Sequence, residues 1–245
     1  MAMPPELQDA IDNCYEAFVW YPTPRRLDAS SARDAAAILK ALTSAPLRKL
    51  TGEHLGSYAG WAMTTVGDAD DYRHFLPRIL ELAIGDQSHI GLDPPAIAGK
   101  LIYAGWPAWP GEQQAAVRMV FAEAWRHGLR QHPDEYDPSG WLTGIALIGG
   151  DLDAALEAWL SSPSPNAVLQ LAEFFRGEAE RLIVDGADRN YWEKAGDGTI
   201  ERMRRWLLGE PVLDRLLSAN IMDEDQWRVD HALLVLDAVG PARPG

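Results

Sequence analysis

PLRKLTGEHLGSYAGWAMTTVGDADDYRHFLPRILELAI, from Pro46 to Ile84, is the stretch whose reading decides the fold. After Thr51, the apolar residues Leu55, Tyr58, Ala59, Ala62, Met63 and Val66 recur at the spacing of one helical face,. Thr51 is a suitable N-cap, because its hydroxyl can accept from an unpaired backbone N–H. Gly67 closes that run with a residue that adopts a left-handed turn cheaply, and Asp68 can cap the next helix,. Tyr72, Phe75, Leu76, Ile79, Leu80 and Ala83 then repeat the pattern. The spacing predicts two amphipathic helices, 51–66 and 68–84, folded back on each other as a helical hairpin.

The second helix carries a polar flank. Asp70 and His74 are four apart, as are His74 and Arg78, and Arg73 and Glu81 share their side. Such pairs can meet on a helix surface. Asp71 lies near the positive end of the same helix. Pro77 cannot donate to the Arg73 carbonyl and crowds that turn, which predicts a kink. On the first helix His54 and Trp61 flank the apolar stripe. The candidate binding surface is therefore His54, Trp61, Asp70, Asp71, Arg73, His74 and Arg78. The plainer alternative for these residues is a solvated charged face.

The motifs PLRKL and TTVGDADDYRHFLPRILEL, with WYPTP upstream, resemble an uncharacterised bacterial family of all-helical proteins. Its pattern is PLR-L followed by T-GD-DD-[FY]-[RK]-HFLPR. The resemblance covers about Trp20 to Leu82 and implies an all-helical fold without implying an activity. Some members carry a cysteine pair after the Tyr-Pro segment. This chain has Arg25, Arg26, Leu27, Asp28, Ala29 and Ser30 there, so no metal or redox role of such a pair carries over.

Composition narrows the rest. The chain has 245 residues, 47% hydrophobic content and ten tryptophans, enough to bury a sizeable core,. Net charge is −14. Residues 1–120 hold 10 basic and 14 acidic side chains, and the remainder 12 and 22, so the second half is the acidic one. That balance disfavours nucleic-acid backbones and anionic membranes. Cys14 is the single cysteine, on an apolar helical face, and reads as a buried thiol in a reducing compartment,. Charged residues from Glu6 to Asp12 interrupt any leader pattern, and no apolar run nears the ~20 residues that span a bilayer,. A cytoplasmic protein is the expectation.

Along the chain, further helices are expected over 4–19, 30–42, 93–104, 110–131, 137–148, 151–160, 165–184, 199–208, 211–219 and 224–239. Trp20–Pro24 and Trp106–Pro110 are stiff aromatic breaks: the first lies over helix ends or walls a pocket, and the second packs under helices or docks a partner. Arg48 is expected to reach the acids around Asp68–Asp71. His127 and His132 sit near a helix C-terminus, where a cation is favoured, with Asp134 and Glu135 as conceivable co-ligands. The polar stretch 185–198 reads as a mobile loop. No strand pattern is found. The expected fold is all-α, with about ten to eleven helices in stacked antiparallel pairs, as a helical-repeat-like array or a compact bundle. One domain is expected over 1–240, with a frayed tail at 241–245.

Phosphate loops, nucleophile elbows and His-Glu-x-x-His are absent,. The favoured reading is a binding or adaptor protein that uses a groove near the 51–82 hairpin, with another protein as partner and no cofactor or resident metal. The alternative is a metal-dependent or small-molecule enzyme centred on Asp70, Asp71, His74 and Arg78.

Overall fold

The computed structural model describes residues 3–85, 89–184 and 190–239. All regular elements among them are helical, and the chain falls into two compact units that divide between Ala124 and Trp125. Unit 1 contains α1 (Pro5–Ala17), α2 (Ala35–Leu42), α3 (Gly52–Leu55), α4 (Tyr58–Trp61), α5 (Ala69–Gly85) and α6 (Pro94–Tyr103). The division falls within α7 (Gly111–Gly128). Unit 2 contains α8 (Ser139–Leu147), α9 (Leu152–Ser161), α10 (Pro165–Gly177), α11 (Ala179–Ile183), α12 (Thr199–Leu207), α13 (Glu210–Leu217) and α14 (Gln226–Val239). Short 3-10 turns occupy Leu47–Lys49, Trp106–Ala108 and Asn190–Lys194.

Two of the expected helices are divided, each for a local reason. The first arm of the hairpin is not one helix: α3 and α4 are single turns separated by Gly56 at φ +50°, a backbone conformation that side chains resist,. Beyond α4, Met63 is left-handed and the chain turns back on itself, with the Met63 N–H bonded to the Val66 carbonyl. Thr65–Gly67 then pairs with Asp28–Ser30 through Ser30 N–H to Thr65 O and Gly67 N–H to Asp28 O, around an isolated Ala29–Val66 bridge. Three glycines, Gly52, Gly56 and Gly60, and the β-branched run Thr64-Thr65-Val66 weaken this arm as a helix,. The apolar period still reports burial. Leu55, Tyr58, Ala59, Ala62 and Val66 are all 2% exposed or less. Likewise the expected helix 165–184 breaks at Glu178 into α10 and α11.

α5 does run as read. Tyr72, Phe75, Leu76, Ile79, Leu80 and Ala83 are completely buried, and the helix continues through Pro77. Asp68 Oδ1 accepts from the Asp70 and Asp71 amides, while the Asp71 carboxylate accepts from the Asp68 amide, a reciprocal cap on the helix start,. Asp93 and Asp151 cap α6 and α9 as their positions suggest. The start of α2 differs: Asp34, not Ser30 or Ser31, is the cap, since Ser30 belongs to the segment paired with Thr65–Gly67. Trp106 and Trp109 are buried, so the second aromatic break packs inward. Cys14 is buried as expected, and burial pushes its thiol far above the ordinary range. No helix of the described residues is long and apolar enough to cross a membrane. Of the expected mobile loop, 185–189 lies outside the described residues, as does the tail 241–245.

Candidate functional site

The polar flank of α5 faces three irregular segments of unit 1, and most of its side chains hold one of them. Nδ1 of His74 lies 2.8 Å from the Tyr21 carbonyl. A carbonyl only accepts, so Nδ1 carries the proton and a neutral ring presents Nε2 as an acceptor. The imidazole packs edge-on against Phe75 at 4.7 Å. Arg73 bonds Asp70 at 2.7 Å and lays its guanidinium over Trp109 at 4.3 Å and Tyr21 at 5.4 Å. Tyr21 and Gln113, 5% exposed, meet side chain to side chain at 3.3 Å. Arg78 donates to the Leu50 carbonyl and to Glu81, both at 2.6 Å, and Glu81 also accepts from the Tyr15 hydroxyl of α1 at 2.7 Å. Burial first, and then the bond to Glu81, pushes the Tyr15 phenol well above its ordinary range.

The expected pairs Asp70–His74 and His74–Arg78 are therefore replaced. Asp70 turns to Arg73, Asp71 to the Asp68 backbone, His74 to the Tyr21 carbonyl and Arg78 to Leu50 and Glu81. The reason is physical: the Tyr21 and Leu50 carbonyls lie outside the α-helices, and carbonyls withdrawn from water require donors,. The four side chains proposed for an enzyme centre do not converge. Arg48 bonds Asp12 at 2.6 Å and stacks over Tyr15 at 3.8 Å, away from Asp68–Asp71. Its hydrogen bond is the main influence holding the Asp12 carboxyl below the usual carboxylate range.

His54 and Trp61 also have local duties. The Thr51 amide donates to His54 Nδ1 at 3.0 Å while the His54 amide donates to Thr51 Oγ1, so His54 completes the cap of α3. Arg33 stacks on Trp61 at 3.6 Å. Neither residue lines a cleft beside His74.

Two clefts of about 380 Å³ each flank His74 and share Leu47 as a common wall. The first lies between α1 and α5 and is mostly apolar, with Phe18, Val19, Tyr21 and Pro77 in its lining and Glu16 and Arg48 also facing it. The second runs along the end of α2 through Thr43–Pro46 to Phe75. Val19 is 67% exposed and Trp20, between two lining residues, is 85% exposed. Of the seven expected surface residues, only His74 lines these clefts. Leu47, Val19 and Pro77 were not singled out as site residues, although the aromatic 20–24 break and the PLRKL motif pointed to their neighbourhood.

In unit 2, sequence reasoning missed Arg228. It is 6% exposed and its guanidinium meets Asp225 at 3.2 Å, Glu173 at 2.6 Å and Asp134. His132 Nε2 lies 3.2 Å from the second oxygen of Asp225. His132 thus belongs to this ionic network, with Asp134 as a further neighbour. The available signal was an arginine inside the buried stripe of α14, level with Val229 and Ala232. Among the described residues, no group of three or more His, Cys, Asp or Glu side chains is arranged to hold a metal ion. The chain matches no family model, no curated protein and no solved structure.

Proposed function

We infer that unit 1 is a binding module that seats an apolar side chain of a protein partner in the cleft between α1 and α5. The observation that carries this reading is the exposure of Trp20 and Val19 at the edge of an apolar cleft whose wall includes the His74 ring. An unshielded tryptophan beside a concave apolar wall is a common anchor of protein interfaces. Nε2 of His74, an acceptor while the ring is neutral, suits a partner that brings an N–H beside its apolar side chain,. The motif that carries the family resemblance supplies Leu47, His74, Phe75 and Pro77 to the two clefts. That supports reading the clefts as what the motif specifies. Paired, packed helices serve such a role by presenting a preformed groove.

N-acetyl-tryptophanamide and N-acetyl-leucinamide carry the required side chain and N–H. Titrated into the isotopically labelled chain, they are expected to shift the Val19, Trp20 and His74 resonances saturably. Val19→Lys should abolish the effect without moving the melting temperature, since Val19 is exposed. Shifts that stay linear, or that survive Val19→Lys, would refute the reading.

A further inference from the structure

Unit 2 holds a cavity of about 110 Å³ with walls of two kinds. One kind is aromatic. Trp125, Trp159 and Phe174 line it, and Trp159 meets Trp125 at 84° and 4.8 Å and Phe174 at 84° and 5.3 Å. Both indole donors are spent inside the fold: Trp125 Nε1 donates to the Ala155 carbonyl at 3.0 Å and Trp159 Nε1 to the Ala167 carbonyl at 2.9 Å. These indoles can therefore offer the cavity ring surface, with no N–H to spare.

The other kind is made of acceptors. Gln170 is 3% exposed, and its Nε2 donates to the Gln131 carbonyl at 3.0 Å and the Tyr136 carbonyl at 2.8 Å. With both amide hydrogens used, Oε1 is left to accept, and no described residue donates to it,. Asp137, Glu173 and Glu178 also line the cavity, whereas no lysine or arginine among the described residues does. Arg176 and Arg228 already hold Glu173. Asp137 accepts only from the Ser139 amide, and Arg181 comes no nearer to Glu178 than 4.0 Å. Asp137 is therefore the lining carboxylate with no cationic partner, and Glu178 has only its long pair with Arg181; both lie in the half of the chain with the larger acidic excess.

Ring surface attracts cations, an unpaired carbonyl oxygen open to the cavity favours a donor, and carboxylates repel anions. We propose that this cavity binds a small methylated ammonium ion that keeps at least one N–H, either free or at the tip of a lysine side chain. The N–H is directed to Gln170 Oε1, the methyl groups lie against Trp125, Trp159 and Phe174, and Asp137 and Glu178 balance the charge. The size agrees: a cavity of ~150 Å³ accommodates benzene, and trimethylammonium has fewer heavy atoms than benzene.

The test is a titration of the full chain with trimethylammonium chloride, reading the indole N–H resonances of Trp125 and Trp159. Saturable shifts are expected. Tert-butyl alcohol, which is similar in shape but neutral, should produce none, and tetramethylammonium, which lacks the N–H, should bind roughly tenfold more weakly. Gln170→Leu should weaken binding by about the same factor. Because Gln170 also holds two backbone carbonyls, Asp137→Asn and Glu178→Gln provide variants outside those bonds, and each should weaken binding several-fold. A peptide carrying dimethyl-lysine, titrated alongside, separates the two sources: the tighter of peptide and free ion identifies the natural one. Shifts that do not saturate with either, or an equal response to tert-butyl alcohol, would overturn the proposal.

Discussion

Replacing Arg228 by methionine removes one buried charge and leaves Asp225 and Glu173 each short of a partner. Arg228 is 6% exposed; the side chains of Asp225 and Glu173 are 12% and 23% exposed, and that of Asp134 is 67% exposed. Breaking a buried ion pair by deleting one partner costs about 3–5 kcal/mol, because the remaining charge stays desolvated. Here Asp134 can return to water and Arg176 still serves Glu173, so the loss should fall at the lower end, about 3 kcal/mol. At roughly 2–4 °C per kcal/mol, the melting temperature should fall by about 6–12 °C. Arg228→Lys keeps the charge but cannot fork to three carboxylates, and should recover only part of that loss. Burial pushes the Asp225 carboxyl up, yet hydrogen bonds from His132 and Arg228 outweigh it and leave the group below its ordinary range. Glu173 is lowered in the same way, against burial, by Arg176 and Arg228. Groups lowered in the folded state stabilise it above their unfolded pKa, and that contribution disappears as pH falls through the folded one. The gap between wild type and Arg228→Met should therefore be widest near neutrality and close below about pH 4. Thermal unfolding followed by circular dichroism at several pH values checks both limbs. A melting change under about 2 °C at neutral pH, or a gap independent of pH, would refute the reasoning.

Three further outcomes are expected. Gly91 has φ +84°, and a Cβ there would lie 2.2 Å from the Gly60 nitrogen, so Gly91→Ala should cost about 2 kcal/mol or more, measurable by urea unfolding,. Asp68→Ala removes an acceptor from two amides at the start of α5 and should cost about 1 kcal/mol, with the same assay showing an unchanged slope,. Cys14, buried and with its thiol pushed up, should resist a disulfide-exchange reagent at about pH 8 in the native protein and react at once in denaturant; fast native labelling would contradict its placement,.

The sequence was legible wherever one short-range rule dominated. α5 followed from a 3.6-residue period, an Asp at its start and no competing glycine, and its whole stripe is buried,. The arm before it had the same period, yet Gly56 and Met63 at positive φ turn it into two isolated helical turns. Periodicity reports which residues are inside. It does not weigh backbone entropy at glycine, nor the pairing of Thr65–Gly67 with Asp28–Ser30, a segment far upstream in the chain. Side-chain partners were the least legible part. Arg48 had acids within reach by sequence at Asp68–Asp71 but bonds Asp12. Arg228 collects partners from three stretches of chain, two of them distant in sequence, which no local pattern encodes.

The polar cluster on α5 shows why a charged motif and a functional site need not coincide. Asp70, Arg73, His74 and Arg78 read as a constellation because they share a helix side, with Asp71 at the helix start, and helix spacing allows Asp70 to meet His74. Their observed partners include a helix N-terminus, an aromatic pair and two backbone carbonyls outside the α-helices. Each such bond is worth about 1 kcal/mol, but leaving a buried carbonyl without it costs about 1–3 kcal/mol, so the motif is accounted for by the need to fix the 18–24 and 47–50 segments on the helix. Once fixed, those segments build the walls of both clefts beside His74. The motif thereby positions Val19, Trp20 and Leu47, and it places the second nitrogen of His74 and the guanidinium of Arg48 beside the cleft between α1 and α5.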